Sequence, residues 1–415
     1  MTYNIFIKCE VCSALIDLKW QVGYLPKSVF RVSCGRCKSA IEGILKTDEK
    51  PSFSYEIIKG EEIKGEEIKG LWDIGCDYII PISGEIVTEK MRTGRDEYRP
   101  TPFLNVFKLV NFESFSDFCQ RIRKSLLKID IEKDRIDRIN NLYVNKQYKY
   151  LKKMLKEDFD IFIKKDSINR IVENKQIVDF SYFNYFGGNP KIKNKLESTY
   201  RTFKKLKSNN KSEYIKLLEF IDSDIDKIEK RIRESLKIFL ENYNYFVPVI
   251  LLEYMSDTVK NKVFEEYAIT TVHFEDVRNL YLRIYENVME ISFVFVALNN
   301  IIHRGNYETI NEGIIKNKKN IRQYIDMTKG NKMKYLKINE DFNVIIPNFD
   351  KDIRNAIGHE DIEYNVLDQK LVYKEGETYL IKYVYNIWEC YELCVMIYKI
   401  ITEIKMDILN NKVKK

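Results

Sequence analysis

Lys8-Cys9-Glu10-Val11-Cys12-Ser13 and, further on, Ser33-Cys34-Gly35-Arg36-Cys37-Lys38 are two copies of one pattern, with twenty-one residues between the second and third cysteines. A two-residue gap lets a tight turn aim both thiolates of a pair at one ion, with backbone N–H groups free to hydrogen-bond the sulfurs. Two such pairs at this separation have the spacing of a tetrahedral four-cysteine zinc site, with Cys9, Cys12, Cys34 and Cys37 as ligands. Four thiolates close the coordination sphere, so the expected zinc is structural, one per chain, and no catalytic metal is expected. Gly35 sits inside the second pair, where an unusual φ is expected. Apolar runs at residues 5–8, 18–22 and 29–32 read as short strands. Residues 1–50 are thus expected to form a β zinc ribbon that needs its ion to fold.

Outward from the ribbon, residues 58–70 repeat Gly, Glu, Lys and a single Ile every five residues. Such a run buries no core of its own and reads as an exposed linker. Strand candidates at 78–81 and 85–88 follow, so residues 51–112 read as the linker repeat and a β-like extension. From residue 113 the periodicity turns helical. Phe115, Phe118, Cys119 and Ile122 recur at three- and four-residue spacing, as do Leu217, Leu218, Ile221 and Ile225. Gly187, Gly188 and Pro190 break this helical middle region, 113–245, into two groups.

The last block, 246–415, reads as a four-helix bundle with a β-hairpin inserted before the final helix. One helix is expected at about 274–302 and another at about 308–327, closed by Gly330 as a C-terminal cap. A short helix is expected after Pro347, with Asn348 or Asp350 as N-cap. Strands follow at 362–366, 371–373 and 379–384, with Gly376 in the turn, then a last helix at about 385–409. The expected fold class is mainly α.

Composition agrees with that class. Gly and Pro are scarce, at 16 and 8 of 415 residues, which suits long helices. Lys and Arg outnumber Asp and Glu by 69 to 62, a net charge of +7 that permits nucleic-acid binding without requiring it. No apolar run reaches the roughly 18–20 residues of a membrane span. The first residues lack the basic start, apolar core and cleavage site of an export signal. Eight cysteines in such a chain point to a reducing, cytoplasmic setting, where paired cysteines bind metal more often than they form disulfides. Cys390 and Cys394, one helical turn apart in an apolar stretch, read as core.

Histidine occurs only at positions 273, 303 and 359. His359 closes the stretch Asp352-Ile353-Arg354-Asn355-Ala356-Ile357-Gly358-His359. In ribonucleases of the HEPN superfamily, which this stretch resembles, cleavage through the 2′-hydroxyl needs a group that titrates near neutrality and a fixed cation for the charge growing on the phosphorane. A histidine supplies the first. An arginine supplies the second, with a planar fork that matches phosphate oxygens. Five residues at about 100° each put Arg354 and His359 roughly 140° apart on a regular helix. Gly358 is therefore expected to end the helix and let His359 hang from it.

This stretch resembles the R-x4-6-H signature of the HEPN superfamily, in which the residue after Arg is typically Asn, Asp or His, as Asn355 is here. The resemblance covers about residues 246–415. It implies a metal-independent endoribonuclease with His359 as general acid/base, Arg354 as phosphate and transition-state stabiliser, and Asn355 as orienter. It further implies a homodimer through the C-terminal bundle, with two motifs facing each other in one composite site. Proteins of this kind act as toxins or in abortive-infection defence against phage and cut RNA such as tRNA, so an antitoxin or a phage-derived trigger is an implied partner. His303, followed by Arg304 and Gly305, reads as a helix terminus, and His273 as structural.

Lys191, Lys193, Arg201, Lys204 and Lys205 are the candidate RNA-binding residues, close to Tyr182, Phe183, Tyr185 and Phe186. Positive charge beside aromatic rings suits single-stranded RNA. A solvated helix next to a core aromatic cluster gives the same pattern. Lys316, Lys318, Lys319, Arg322, Lys329, Lys332 and Lys334 form a second basic stretch. The reading from a different class is a non-catalytic protein whose ribbon grips nucleic acid or a protein and whose helical part is a dimer scaffold.

Overall fold

The computed structural model describes residues 2–47, 52–65, 67, 75–93, 102–164, 167–188, 190–310, 320–343 and 351–414. The chain is mainly α, with β-sheets toward the N-terminus. It forms two compact units, each assembled from three separate segments. Unit 1 comprises Met1–Lys124, Asn242–Tyr281 and Asp352–Trp388; unit 2 comprises Ser125–Glu241, Leu282–Lys351 and Glu389–Lys415. The two interleave along the sequence, whereas the sequence reading drew consecutive blocks, and residues 246–415 are divided between them.

In unit 1, strands β1 (Thr2–Lys8) and β2 (Leu15–Gln21) pair antiparallel across the first cysteine pair. Strands β3 (Lys27–Ser33) and β4 (Ala40–Thr47) do the same across the second. Alternation sends Ile5, Ile7, Ile16, Leu18, Trp20, Phe30, Val32 and Ile41 into one core with the cysteines. The run at 58–70 is not a free linker. Strand β5 (Phe53–Lys59) adds to β4, Gly60 turns at φ +116°, and β6 (Glu61–Glu62) pairs with the edge of β1. Ile63 buries against Phe6. One apolar side chain per period is enough to finish a sheet edge once a neighbouring strand supplies the partner, and composition alone hides this. Residues 66 and 68–70 of the repeat lie outside the described residues.

Strand β7 (Tyr78–Ile82) lies parallel to β2 and carries β9 (Arg92–Thr93) on its far side. Of the strand expected at 85–88 only Thr88 is extended, in β8 (Thr88–Glu89). Glu85 instead turns inward and accepts the amide N–H groups of Tyr24 and Leu25 at 2.7 and 2.8 Å. Burial raises its carboxyl to about 7 in spite of those bonds.

The ribbon is stitched into its unit by residues 267–272. The Arg31 amide donates to the Thr270 carbonyl at 2.7 Å, and Arg31 bridges Thr271 in parallel. The Thr270 hydroxyl accepts from the Ser83 amide and donates to the Ser83 carbonyl, both at 3.0 Å. Strand β10 (Tyr267–Ala268) pairs with β8. The Gln369 amide side chain clamps the backbone of Ile269 at 3.0 and 2.8 Å. Gln369 precedes the middle strand of a meander made of β11 (Ile362–Asn365), β12 (Lys370–Tyr373) and β13 (Gly376–Tyr379). The third strand is thus Gly376–Tyr379 rather than 379–384. From Leu380 the chain is helical to Lys414, because Leu380, Ile381 and Val384 bury on a helical spacing.

Unit 2 is helical among its described residues. Leu217, Leu218, Ile221 and Ile225 are buried, as their spacing requires. The helix expected at 274–302 is broken in two, Phe274–Ile291 and Phe293–Arg304. At the break the Ser292 hydroxyl donates to the Met289 carbonyl at 2.6 Å and competes with the helical ladder. Gly305, at φ +70°, ends the second piece just after His303, as a helix terminus there requires. The helix expected at 308–327 is reduced to Ile321–Ile325, since Thr309 and Asn320 pair as a β-bridge and Asn320 then caps the Gln323 amide; residues 311–319 lie outside the described residues. Gly330 is inside a helix, Lys329–Lys337, and caps nothing. Among the described residues no helix is long and apolar enough to cross a membrane.

The interior of unit 2 holds a buried charge cluster. Asp179, fully buried, faces Lys175 Nζ, Arg233 Nε and the Tyr398 hydroxyl, each at 2.9 Å. Burial alone would raise its carboxyl, but these two cations outweigh it and hold the carboxyl below its usual range. Glu229 beside it takes the Tyr143 hydroxyl at 2.7 Å and the Lys405 ammonium.

Candidate metal centre and candidate active site

The four cysteines come from two hairpin turns of the same design. In the first, the Ser13 amide donates to the Cys9 carbonyl at 2.8 Å and the Cys9 amide to the Ala14 carbonyl at 2.9 Å. In the second, Lys38 donates to Cys34 at 2.9 Å and Cys34 to Ser39 at 2.8 Å. The left-handed residue is the one after the second cysteine in each case, Ser13 at φ +58° and Lys38 at φ +63°. Gly35 is not left-handed. Its smallness serves packing, because a Cβ there would lie 2.4 Å from the Tyr78 ring. The four sulfurs lie within 4.8 Å of one another, with Cys9–Cys37 and Cys12–Cys34 both at 3.6 Å. Tetrahedral thiolate ligation at about 2.3 Å per bond spaces sulfurs roughly 3.8 Å apart. The donor set therefore fits a metal ion without rearrangement. The Ser39 hydroxyl lies 3.1 Å from Cys9 Sγ and 3.0 Å from Cys37 Sγ, where it can orient both thiolates.

Arg354 and Asn355 belong to a short helix, Lys351–Gly358, in unit 1, and His359 follows directly on its end. Ile353, Ala356 and Ile357 pin its inner face. Pro347, Asn348 and Asp350, expected just before it, lie outside the described residues. Gly358 does not terminate this helix by a left-handed turn. Glu360 does, at φ +59°. The Glu360 amide donates to Ile357 at 3.2 Å and the Asp361 amide to Ala356 at 2.8 Å. That pair of bonds makes His359 the capping residue and leaves it exposed. Arg354 is half-buried; its guanidinium donates to Asn355 Oδ1 at 3.4 Å and lies 3.6 Å from the position of a Cβ on Gly358. The guanidinium thus reaches toward the helix end that carries His359, although the two residues do not share a helical face.

His273 occupies a more enclosed place in unit 1. Its side chain is 10% exposed and sits against Glu42, itself 11% exposed. Nδ1 is 3.5 Å from the Ser33 hydroxyl. Nε2 is 3.3 Å from Glu42 Oε1 yet makes no hydrogen bond. Burial lowers the pKa of His273 below the ordinary value, with Glu42 pulling the other way. Nothing local in the sequence marks this trio, since Ser33 and Glu42 share the β3–β4 hairpin but His273 reaches them from the far side of the Arg31–Thr270 junction.

The basic candidates fall in unit 2. Lys204 is spent on Glu403 at 2.5 Å, and Arg201 pairs with Glu197 at 3.7 Å. Lys205 is exposed, and the side chains of Lys191 and Lys193 lie outside the described residues. Tyr182, Phe183 and Phe186 are buried, which removes them as stacking surfaces. Tyr185 is 43% exposed, with the Lys128 ammonium 4.7 Å from its ring centre. In the second stretch Lys332 is buried, Lys329 pairs with Glu286, and Arg322 lies over Phe220; Lys316, Lys318 and Lys319 lie outside the described residues. Cys390 and Cys394 are buried in the final helix, as core residues are.

In comparisons with known proteins, no family model, no curated protein and no solved structure matches the chain.

Proposed function

We propose that the chain is a metal-independent endoribonuclease of HEPN type, with a structural zinc ion in its N-terminal ribbon. The observation that carries this reading is the presentation of Arg354 and His359 at one helix end, the histidine exposed as the capping residue and the guanidinium reaching toward it. A β-meander and a long helix follow, the order the resemblance implies. In the reaction His359 takes the proton of a 2′-hydroxyl, whose oxygen attacks the adjacent phosphorus. The bond from phosphorus to the 5′-oxygen breaks, and that oxygen receives a proton from the histidine of a second copy. The products are a 2′,3′-cyclic phosphate and a 5′-hydroxyl. Arg354 holds the phosphorane oxygens, and Asn355, already hydrogen-bonded to it, orients it. Zinc is the ion whose chemistry suits four closed thiolates, and it takes no part in the cutting.

The test is decay of total RNA in the presence of a chelator, with the unaltered protein beside His359→Ala and Arg354→Ala. Loss of about 100-fold or more in rate is expected for removal of a general acid/base. Equal decay in all samples removes the nuclease assignment from this motif and favours a binding role. A monomer in solution that still cuts would remove the composite site.

A further inference from the structure

The Ser33–Glu42–His273 group lines a cavity of about 480 Å³ in unit 1, within the range that holds small organic ligands. Its walls come from elements remote in sequence: the ends of β3, β4 and β5, the first turn of the Phe274–Ile291 helix, the end of the motif helix through Ile357 and Glu360, and β11. On its wall, His273 Nε2 lies 3.3 Å from Glu42 Oε1. His273 Nε2 is buried and makes no hydrogen bond, while Glu42 Oε1 beside it is engaged by Lys59 at 2.6 Å and Glu42 Oε2 has only the distant Arg31 at 3.9 Å. A buried ring nitrogen and a carboxylate oxygen with spare capacity, side by side, are costly unless something completes them. One side of the space is aromatic, with Phe274 and Tyr364 packed at 5.4 Å between ring centres. Exposed Lys38, in the left-handed turn of the second cysteine pair, and exposed Lys59 stand around it; Arg278 is half-buried and pairs with Glu275 at 2.7 Å, and Glu275, Asp276 and Glu360 also line the space.

We propose that this cavity binds a nucleotide with an amino-bearing base. Glu42 accepts from the exocyclic amine and His273 Nε2 meets the neighbouring ring nitrogen or carbonyl. The base lies along the Phe274–Tyr364 wall, and the phosphate reaches Lys38. Guanine, adenine and cytosine offer that amine beside a ring position, and uracil does not. The nucleotide can be free or can be one residue of an RNA strand. Since Ile357 and Glu360 flank His359, a strand seated here would run past the end of the motif helix. In the ribonuclease reading the cavity is then the base-recognition site of the same helix, but binding does not depend on cleavage.

The experiment is calorimetric titration of the full chain with GMP, AMP, CMP, UMP, inorganic phosphate and a short single-stranded RNA. Amino-bearing nucleotides are expected to bind about tenfold or more tightly than UMP, and inorganic phosphate not to compete. Glu42→Gln and His273→Ala should each weaken binding about tenfold and narrow the gap to UMP. Lys38→Gln, an exposed change that spares the fold, should weaken the nucleotide but not its nucleoside. An RNA that binds more tightly than the mononucleotide and is displaced by it makes the strand the ligand; equal affinities make it the free nucleotide, and either result upholds the site. Absence of nucleotide binding, or equal affinity for UMP and GMP, overturns the inference. Cleavage without such binding would leave the ribonuclease standing and this site refuted; binding without cleavage would do the reverse.

Discussion

Asp179 in unit 2 and His273 in unit 1 are both buried polar side chains on helix-bearing segments, and they are treated oppositely. Asp179 faces two cations and a hydroxyl, all at 2.9 Å. His273 keeps a buried ring nitrogen with no hydrogen bond and borders an open space. Two cations hold the Asp179 carboxylate in place, although its Oδ1 makes no hydrogen bond, and such a buried ion group fixes a fold in register. A buried polar atom left open beside a cavity is where a ligand would gain most.

The largest test of this contrast is removal of the ion. Small zinc modules owe on the order of 10 kcal/mol to their metal. Cys34→Ser, or prolonged chelation, should release about one zinc per chain. It should also strip amide-exchange protection from β1 to β4 while the Ile225–Glu241 helix keeps its protection. Equal loss in both places would break the contrast between a metal-held unit and a packing-held one.

Asp179→Asn comes next. It leaves Lys175 and Arg233 buried without their counter-charge, and such a break costs about 3–5 kcal/mol. Denaturant unfolding of the full chain should show it. A loss under about 1 kcal/mol would mean that water or a rearrangement answers the two cations.

The smallest effect is expected from His273→Gln at neutral pH, within about 1 kcal/mol, because no hydrogen bond to Nε2 is lost. Its signature is in acid. Burial places the folded-state pKa of His273 below its unfolded value of 6.5. The folded state therefore binds the proton less readily than the unfolded chain. Stability from this group is complete above pH 6.5 and is lost as pH falls from there through the lower folded value. Melting curves taken from about pH 7.5 down to pH 5 should show His273→Gln with a flatter acid limb than the parent. A parallel pair of curves would show that His273 is not held neutral.

What the sequence made legible was what is local. The Cys-x2-Cys pairs are legible because a turn and its ligands occupy six consecutive residues. The helices around Phe118 and Leu217 are legible because burial repeats every turn. The helix end at His359 was foreseen in place but not in cause, since the left-handed residue is Glu360 and not Gly358. The run at 58–70 misled because Ile63 acquires its partner, Phe6, from a strand fifty residues earlier. The Glu42–His273 pair was illegible for the same reason at greater range. Three hydrogen-bonded junctions, at Thr270, Ser83 and Gln369, bring those residues together, and none of them has a motif.

The threefold origin of unit 1 also sets a timetable for its synthesis. The cysteine hairpins leave the ribosome first and can capture their ion at once. The segment at 267–272 and the meander that complete the unit are made later. At bacterial or eukaryotic elongation rates of about 5–20 residues per second the ribbon waits on the order of twenty seconds to a minute for them. During that interval the Arg31 backbone, destined for Thr270, is an open strand edge. If the proposed zinc fills the site at that stage, it would keep the early hairpins from spending that wait unfolded, and zinc starvation should then show first as aggregation of newly made chains rather than as failure of finished ones.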